Sequence, residues 1–167
     1  MRKIVLVCFV TLFTTAVLAQ KNWVKQKLTS RFTASFPFAP SQTASTTFAL
    51  KDSTGVVYTA TYSFIAQNLK IDEKVFEKLA ITNEFASEFL STLQATLSQY
   101  SLEKLQIKQH KNHVSYLTSG RNETDKKTIF MNIVFVDGVY YSLSCIVPDS
   151  IESKNKDLFL NSFQIHK

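Results

Sequence analysis

Few residues of this chain have the types and the spacing that metal binding requires. His110 and His113 lie three positions apart, and on one helical turn this spacing offers two imidazoles to a metal ion. The surrounding residues favour a strand, in which the same spacing puts the rings on opposite faces or across a turn. The third histidine, His166, is next to the end of the chain. We therefore expect surface histidines and no metal site.

Nucleophilic catalysis also lacks its usual sequence signature. The chain has many serines, but none lies in a G-x-S-x-G pattern, and only three histidines are present to act as a base. Cys145 lies in an alternating apolar run, which is typical of a small buried side chain rather than of a reactive thiol. The sequence therefore predicts no catalytic residue, no enzymatic activity and no cofactor.

The acidic residues are explained by local structure rather than by a ligand. Asp72 and Glu73 lie at a predicted helix start, where the helix dipole favours negative charge. Glu123 and Asp125 lie in a charged loop that lacks the pattern of a calcium-binding loop. Asn122 begins a glycosylation sequon, Asn-Glu-Thr, which has meaning only in a secretory pathway that glycosylates.

The N-terminal residues have the layout of a secretory signal. Arg2 and Lys3 precede an uncharged apolar stretch, and the segment ends at Ala19 before Gln20. The stretch is shorter than the roughly 20 residues that a membrane-spanning helix needs, although retention as an N-terminal anchor is the alternative. Cys8 lacks the preceding small residue of a lipid-attachment signal. We expect a signal peptide at residues 1–19, cleavage between Ala19 and Gln20, and a periplasmic or secreted chain without an integral membrane segment.

The composition indicates one domain with a modest positive charge. The chain has 167 residues, of which 45% are hydrophobic and 19% charged, with a formal net charge of +6. The basic residues are scattered, and after cleavage Lys126 and Lys127 form the one adjacent pair. This distribution argues against a nucleic-acid partner. Cleavage also leaves Cys145 as the single thiol, so we expect no internal disulfide.

Alternating apolar and polar residues predict an α+β fold with an antiparallel sheet of about six to seven strands. Asp137 and Gly138 separate two strand-like runs and favour a type I′ hairpin turn. Residues 20–30 are expected to form a lead-in whose Trp23 docks on the body, and residues 31–167 a single domain. Strand-like runs occupy residues 31–36, 45–50, 56–65, 104–110, 113–119, 128–136, 139–147 and 160–165.

Helical periodicity replaces alternation after Asp72. The apolar spacing predicts one long helix with Asp72 as its N-cap, and a break near Thr82, with Asn83 capping a second helix, is the alternative. Asp149 and Glu152 predict the start of a short C-terminal helix that ends near Phe159. Both helices are expected to pack on the sheet. The predicted buried stripe consists of Val75, Leu79, Thr82, Ala86, Phe89, Leu93 and Leu97, widened by Phe76 and Leu90.

The order of these elements, with three local sequences, resembles the PsbP/DcrB-like superfamily over most of the chain that follows the predicted signal peptide. The local sequences are Phe36-Pro37 at a strand end, Tyr140-Tyr141-Ser142-Leu143 in a hairpin, and Phe159-Leu160-Asn161-Ser162-Phe163 at the last strand. The resemblance implies an antiparallel sheet flanked by helices, and it implies that the protein binds another protein. It implies no shared catalytic site, and it transfers no functional residue, so the binding residues remain unknown.

The aromatic residues are the remaining feature that a binding function can use. Phe36-Pro37-Phe38 lies at a strand end, and Tyr140 and Tyr141 must point to opposite faces of their strand, so one of them is expected to be exposed.

We therefore expect an exported, non-enzymatic accessory protein of the cell envelope that binds a partner protein. The alternative is a carrier of a small apolar or lipid-like ligand held between helix and sheet; a hydrolase or metal enzyme is the third hypothesis.

Overall fold

The computed structural model describes residues 23–167, so the predicted signal segment and its cleavage site lie outside the described residues. This part of the chain forms eleven strands and four helices. The helices are α1 (Ile65–Leu69), α2 (Glu73–Leu79), α3 (Asn83–Thr96) and α4 (Lys156–Leu160). The strands are β1 (Val24–Lys27), β2 (Phe32–Phe36), β3 (Ser41–Ala44), β4 (Thr47–Lys51), β5 (Val57–Ser63), β6 (Ser101–Leu102), β7 (Gln106–His110), β8 (His113–Asn122), β9 (Lys127–Val136), β10 (Val139–Pro148) and β11 (Gln164–Ile165).

The predicted α+β class is confirmed, but the strand number is not. The central sheet has eight antiparallel strands in the order β3-β4-β5-β10-β9-β8-β6, with β7 also paired to β8, and a separate sheet has the order β1-β2-β11. The prediction of six to seven strands in one sheet was wrong, because β3 and the two-residue β6 of the central sheet, and β1 of the small sheet, lie outside the predicted strand runs and carry no apolar alternation. All four residues of β3 are exposed, and it pairs with β4 through its backbone and one side-chain hydrogen bond, from the Thr43 hydroxyl to the Thr47 carbonyl at 3.5 Å.

Two hydrophobic clusters lie on the two faces of the central sheet. On one face, the small sheet and α4 cover β5, β9 and β10, and Phe32 stacks on Tyr141 with ring centroids 4.0 Å apart. Trp23 packs against this cluster, as expected for the lead-in, although the lead-in also contains β1. On the other face, the α1–α3 layer covers Tyr116 and Phe135. The central sheet is therefore the middle layer of three.

The hairpin of β9 and β10 is the most accurately predicted element. Its turn residues Asp137 and Gly138 both have positive φ angles, 49° and 71°, as a type I′ turn requires. Val136 and Val139 pair directly beside the turn, and the ladder continues to the far ends of both strands. The turn therefore lies at one end of the central sheet, where α1 and α2 also begin.

The predicted long helix is two helices. The N-cap prediction for Asp72 is confirmed, since its carboxylate accepts a hydrogen bond from the Lys74 backbone N–H at 2.9 Å. The chain leaves α2 after Leu79, and Thr82 rather than Asn83 caps α3, because its hydroxyl accepts from the Phe85 N–H at 3.2 Å. The break turns α2 so that Phe76 and Ala80 face the sheet. The predicted burial of Val75 and Leu79 is wrong, whereas that of Ala86 is confirmed.

The C-terminal elements are shorter than the sequence predicted. Helix α4 follows Asn155, and Asp149 does not cap it, because the Asp149 carboxylate accepts two hydrogen bonds from Arg121 at 2.9 and 2.6 Å. Leu160 ends α4 instead of beginning the last strand, and β11 pairs with β2 over two residues. Among residues 23–167, no helix combines the length and the apolar character needed to cross a bilayer.

Candidate functional site

One short segment carries most of the large apolar side chains that are exposed among the described residues. Seven large apolar side chains of the described residues are exposed, and five of them lie between residues 64 and 81. We name these five the apolar flank: Phe64 (46% exposed), Leu69 (51%), Val75 (49%), Leu79 (39%) and Ile81 (42%). Contiguous exposed apolar side chains are typical of an interaction surface, and Val75 and Leu79 of this segment are neighbours one helical turn apart.

The packing of α2 explains why two members of the apolar flank, Val75 and Leu79, face outward. Phe76 is fully buried against Phe85 and Phe135, and the buried Tyr116 hydroxyl donates to the Ala80 carbonyl at 2.5 Å. These contacts fix the inward side of α2. Val75 and Leu79, one helical turn apart, then share the outward side. This surface was not predictable from the sequence, because the inward and outward apolar residues of α2 are adjacent and both fit a helical spacing.

A cleft of about 570 Å³ opens beside the flank, at the end of the central sheet where β9 turns into β10. We name it the end cleft. The Arg31 Nε donates to the Asp137 carboxylate at 2.6 Å, which joins the β1–β2 turn to the β9–β10 turn. The hydroxyls of Thr29 and Tyr141 are hydrogen-bonded at 2.8 Å. Phe64 of the apolar flank forms part of the cleft lining.

Gly138 sets the close approach between the sheet end and the helices. Its carbonyl accepts a hydrogen bond from the Ala66 N–H at 2.9 Å. A Cβ atom at this position would lie 2.8 Å from the Ala66 Cβ and 3.0 Å from the Glu73 Cγ. A glycine is therefore required both for the positive φ of the turn and for contact with α1 and α2.

Charged, polar and apolar side chains line the end cleft. Three carboxylates, from Asp72, Glu73 and Asp137, and one guanidinium, from Arg31, line it. The Asp137 carboxylate is paired with Arg31, and the Asp72 carboxylate caps α2. No histidine or cysteine is among the lining residues. The arrangement offers charged and apolar contacts to a ligand, without a nucleophile held by a base.

The histidines form one stacked pair and one residue hydrogen-bonded to Thr33. His110 and His113 stack across the β7–β8 turn with ring centroids 4.3 Å apart, so the second of the two predicted arrangements is correct. His166 is bound to Thr33, whose hydroxyl lies 2.8 Å from the His166 Nε2. Within residues 23–167, no three His, Cys, Asp or Glu side chains lie close enough together to hold a metal ion.

Burial or local hydrogen bonds hold the other residues considered from the sequence, which are Cys145, Asn122 and Glu123. Cys145 is fully buried, and burial raises the pKa of its thiol to about 12. Asn122 is 4% exposed, and its side-chain oxygen accepts from the Asp125 N–H at 2.9 Å, so the sequon lies in a closed turn. Hydrogen bonds from Arg121 and Lys126 lower the pKa of Glu123. None of these groups faces the end cleft.

The two aromatic groups singled out from the sequence behave differently. Tyr140 and Tyr141 lie on opposite faces, as predicted, but Tyr141 is buried and Tyr140 is partly buried against Phe89, so the predicted exposed tyrosine is wrong. In the other group Phe36 is buried, whereas Phe38 is 63% exposed. The end cleft was not predicted, because its parts come from turns distant in sequence.

Comparison with known proteins gives no assignment of this arrangement. No family model matches the chain, and no curated protein matches it.

Proposed function

We propose that this chain is an exported, non-enzymatic accessory protein of the cell envelope that binds a partner protein through the apolar flank. The observation that carries the proposal is the concentration of exposed apolar side chains between residues 64 and 81. Partner-binding surfaces combine such side chains with a charged rim, and the end cleft supplies charged groups beside Phe64. Burial of the flank by a partner would remove this apolar surface from water.

Export and fold relationship are parts of the same proposal. The signal-like residues before Gln20 support a periplasmic or secreted location. A PsbP/DcrB-like fold is supported by the antiparallel central sheet with helices on its face and a short C-terminal helix. The resemblance implies protein binding, and the exposed side chains of the apolar flank are consistent with that function.

In-cell photocrosslinking tests the proposal directly. A photoreactive amino acid is placed at Leu69 or at Ile81, both exposed in the apolar flank, and at Gln42 on the exposed strand β3 as the matched control. We expect the same protein to be crosslinked from the two flank positions and not from Gln42. Equal crosslinking from all three positions, or none from the flank, would overturn the assignment of the surface.

A carrier of a small apolar or lipid-like ligand is the second candidate, and the size of the end cleft favours it. The volume of about 570 Å³ is within the range of small-molecule sites. Titration with the apolar fluorophore N-phenyl-1-naphthylamine tests this function. Saturable binding that is lost in Phe64→Ser, but kept in Phe38→Ser, would support the carrier over the protein-binding function.

A further inference from the structure

We infer that the partner segment that docks on α2 is acidic and apolar, with carboxylates placed opposite Lys74 and Lys78. This inference rests on the proposed function, because it specifies the chemistry of the partner at the same surface. The occupant of this surface is a protein segment and not an anionic bilayer.

The two lysines border the apolar part of α2. Lys74 and Lys78 are one helical turn apart and exposed, and each directly precedes an exposed apolar residue, Val75 and Leu79. Val75 and Lys78 are three positions apart, so their side chains are neighbours on the helix surface. The outward side of α2 thus presents an apolar stripe beside a positively charged edge.

The described structure leaves these lysines available to a partner. None of the ion pairs among residues 23–167 includes Lys74 or Lys78. Lys70, which is exposed at the C-terminal end of α1, adds a third positive charge close in sequence to the same stripe. A partner carboxylate at this edge would gain an attractive interaction that the free chain does not already make.

The acidic residues of the same layer distinguish a protein partner from a membrane. Exposed carboxylates of α2 and α3 belong to Glu73, Glu77, Glu84 and Glu88. A bilayer of anionic lipids presents negative charge to the whole layer and is repelled by these groups. A protein segment places its carboxylates at chosen positions, beside the lysines and away from the glutamates. Charge complementarity therefore favours the protein.

The experiment uses the full chain with the photoreactive residue at Ile81 and reverses the charges on α2. Lys74→Glu/Lys78→Glu is compared with Lys25→Glu/Lys27→Glu, which makes the same change in net charge at exposed lysines of β1, in the small sheet on the opposite face of the central sheet. We expect the α2 variant to lower the crosslinking yield by on the order of tenfold and the control variant to change it little. Raising the salt from about 50 mM to about 500 mM should also lower the yield. The crosslinked peptide should contain Asp or Glu beside apolar residues.

The outcomes separate this inference from the proposed function. Crosslinking to one protein that is insensitive to both charge reversal and salt would keep the proposed function and overturn the acidic partner. Absence of any specific protein crosslink from the flank would overturn both. Binding to vesicles of phosphatidylglycerol and phosphatidylcholine, lost in the α2 variant, would identify a membrane surface and overturn the inference. Circular dichroism of both variants checks that the fold is intact.

Discussion

His110 and His113 stack face to face across the β7–β8 turn, with ring planes 13° apart. His113 is the inner member of the pair and lies edge-on to Phe163, with ring centroids 5.8 Å apart. Burial lowers the pKa of His113, and the neighbouring charge of His110 lowers it further. The folded chain therefore favours the neutral imidazole at this position.

We predict that His113 makes the stability of the fold depend on pH. Its pKa is lower in the folded chain than the ordinary value of 6.5, so below pH 6.5 the unfolded chain binds the proton more readily. The contribution of His113 is complete above this pH and decreases as the pH falls towards the folded-state pKa. Urea unfolding between about pH 7.5 and pH 5 should show this slope, and His113→Gln should flatten it. An unchanged slope in His113→Gln would contradict the assignment.

Gly138 gives a prediction about the end cleft. Gly138→Ala introduces a Cβ at positive φ, only 2.8 Å from the Ala66 Cβ, so it should lower the free energy of unfolding by about 3 kcal/mol. Gly55→Ala is the matched control, because Gly55 also has a positive φ but its Cβ would meet only Pro148, at 3.9 Å. We expect about 1 kcal/mol there. Equal losses in urea unfolding of the two variants would show that the contact with α1 is unimportant.

Tyr116 provides a prediction about the junction between α2 and α3. Removal of its hydroxyl in Tyr116→Phe leaves the Ala80 carbonyl without its buried donor and should cost about 1–2 kcal/mol. Hydrogen exchange of the backbone N–H groups of residues 80–82 should become faster than in the unchanged chain. Tyr140→Phe, at a partly buried tyrosine, should leave this exchange as it was. A Tyr116→Phe chain with unaltered exchange at the junction would argue against this anchoring role.

Cys145 should be unreactive in the native chain. Its thiol is buried and its pKa is raised to about 12, so little thiolate forms near neutral pH. We expect no alkylation by iodoacetamide at about pH 8 in the folded state and complete alkylation in urea, measured by mass spectrometry. Rapid labelling of the folded chain would indicate that the β5–β10 region opens.

The hairpin of β9 and β10 was predictable because its information is local. Asp137 and Gly138 specify the turn, and the alternating residues on either side specify the two faces. The α2–α3 break was left open because Val75 and Phe76 are both apolar and adjacent, and periodicity alone does not decide which one faces the sheet. The side of α2 that faces the sheet is determined by the contacts of Phe76 with Phe135 and of Ala80 with Tyr116, both of which are distant in sequence.

The end cleft could not be predicted from the sequence either, because contacts between residues distant in sequence form it. Arg31 and Asp137 are 106 positions apart, and nothing in the residues around either one specifies the other as its partner. Strands β1 and β3 were also missed, because they are held by backbone hydrogen bonds to β2 and β4 and carry few buried side chains. Contacts between distant turns and pairing of polar edge strands leave little trace in a local pattern.

The export proposal gives the last prediction. The small side chain of Ala19 satisfies the requirement for a small residue just before a signal cleavage site, so the exported chain should begin at Gln20. Replacement of this residue in Ala19→Arg should cause the uncut precursor to accumulate, whereas Gln20→Asn, on the other side of the bond, should be processed. Intact-mass measurement of exported and cell-associated material distinguishes the two forms. Exported protein that retains residues 1–19 would exclude cleavage at this bond and support the N-terminal anchor instead.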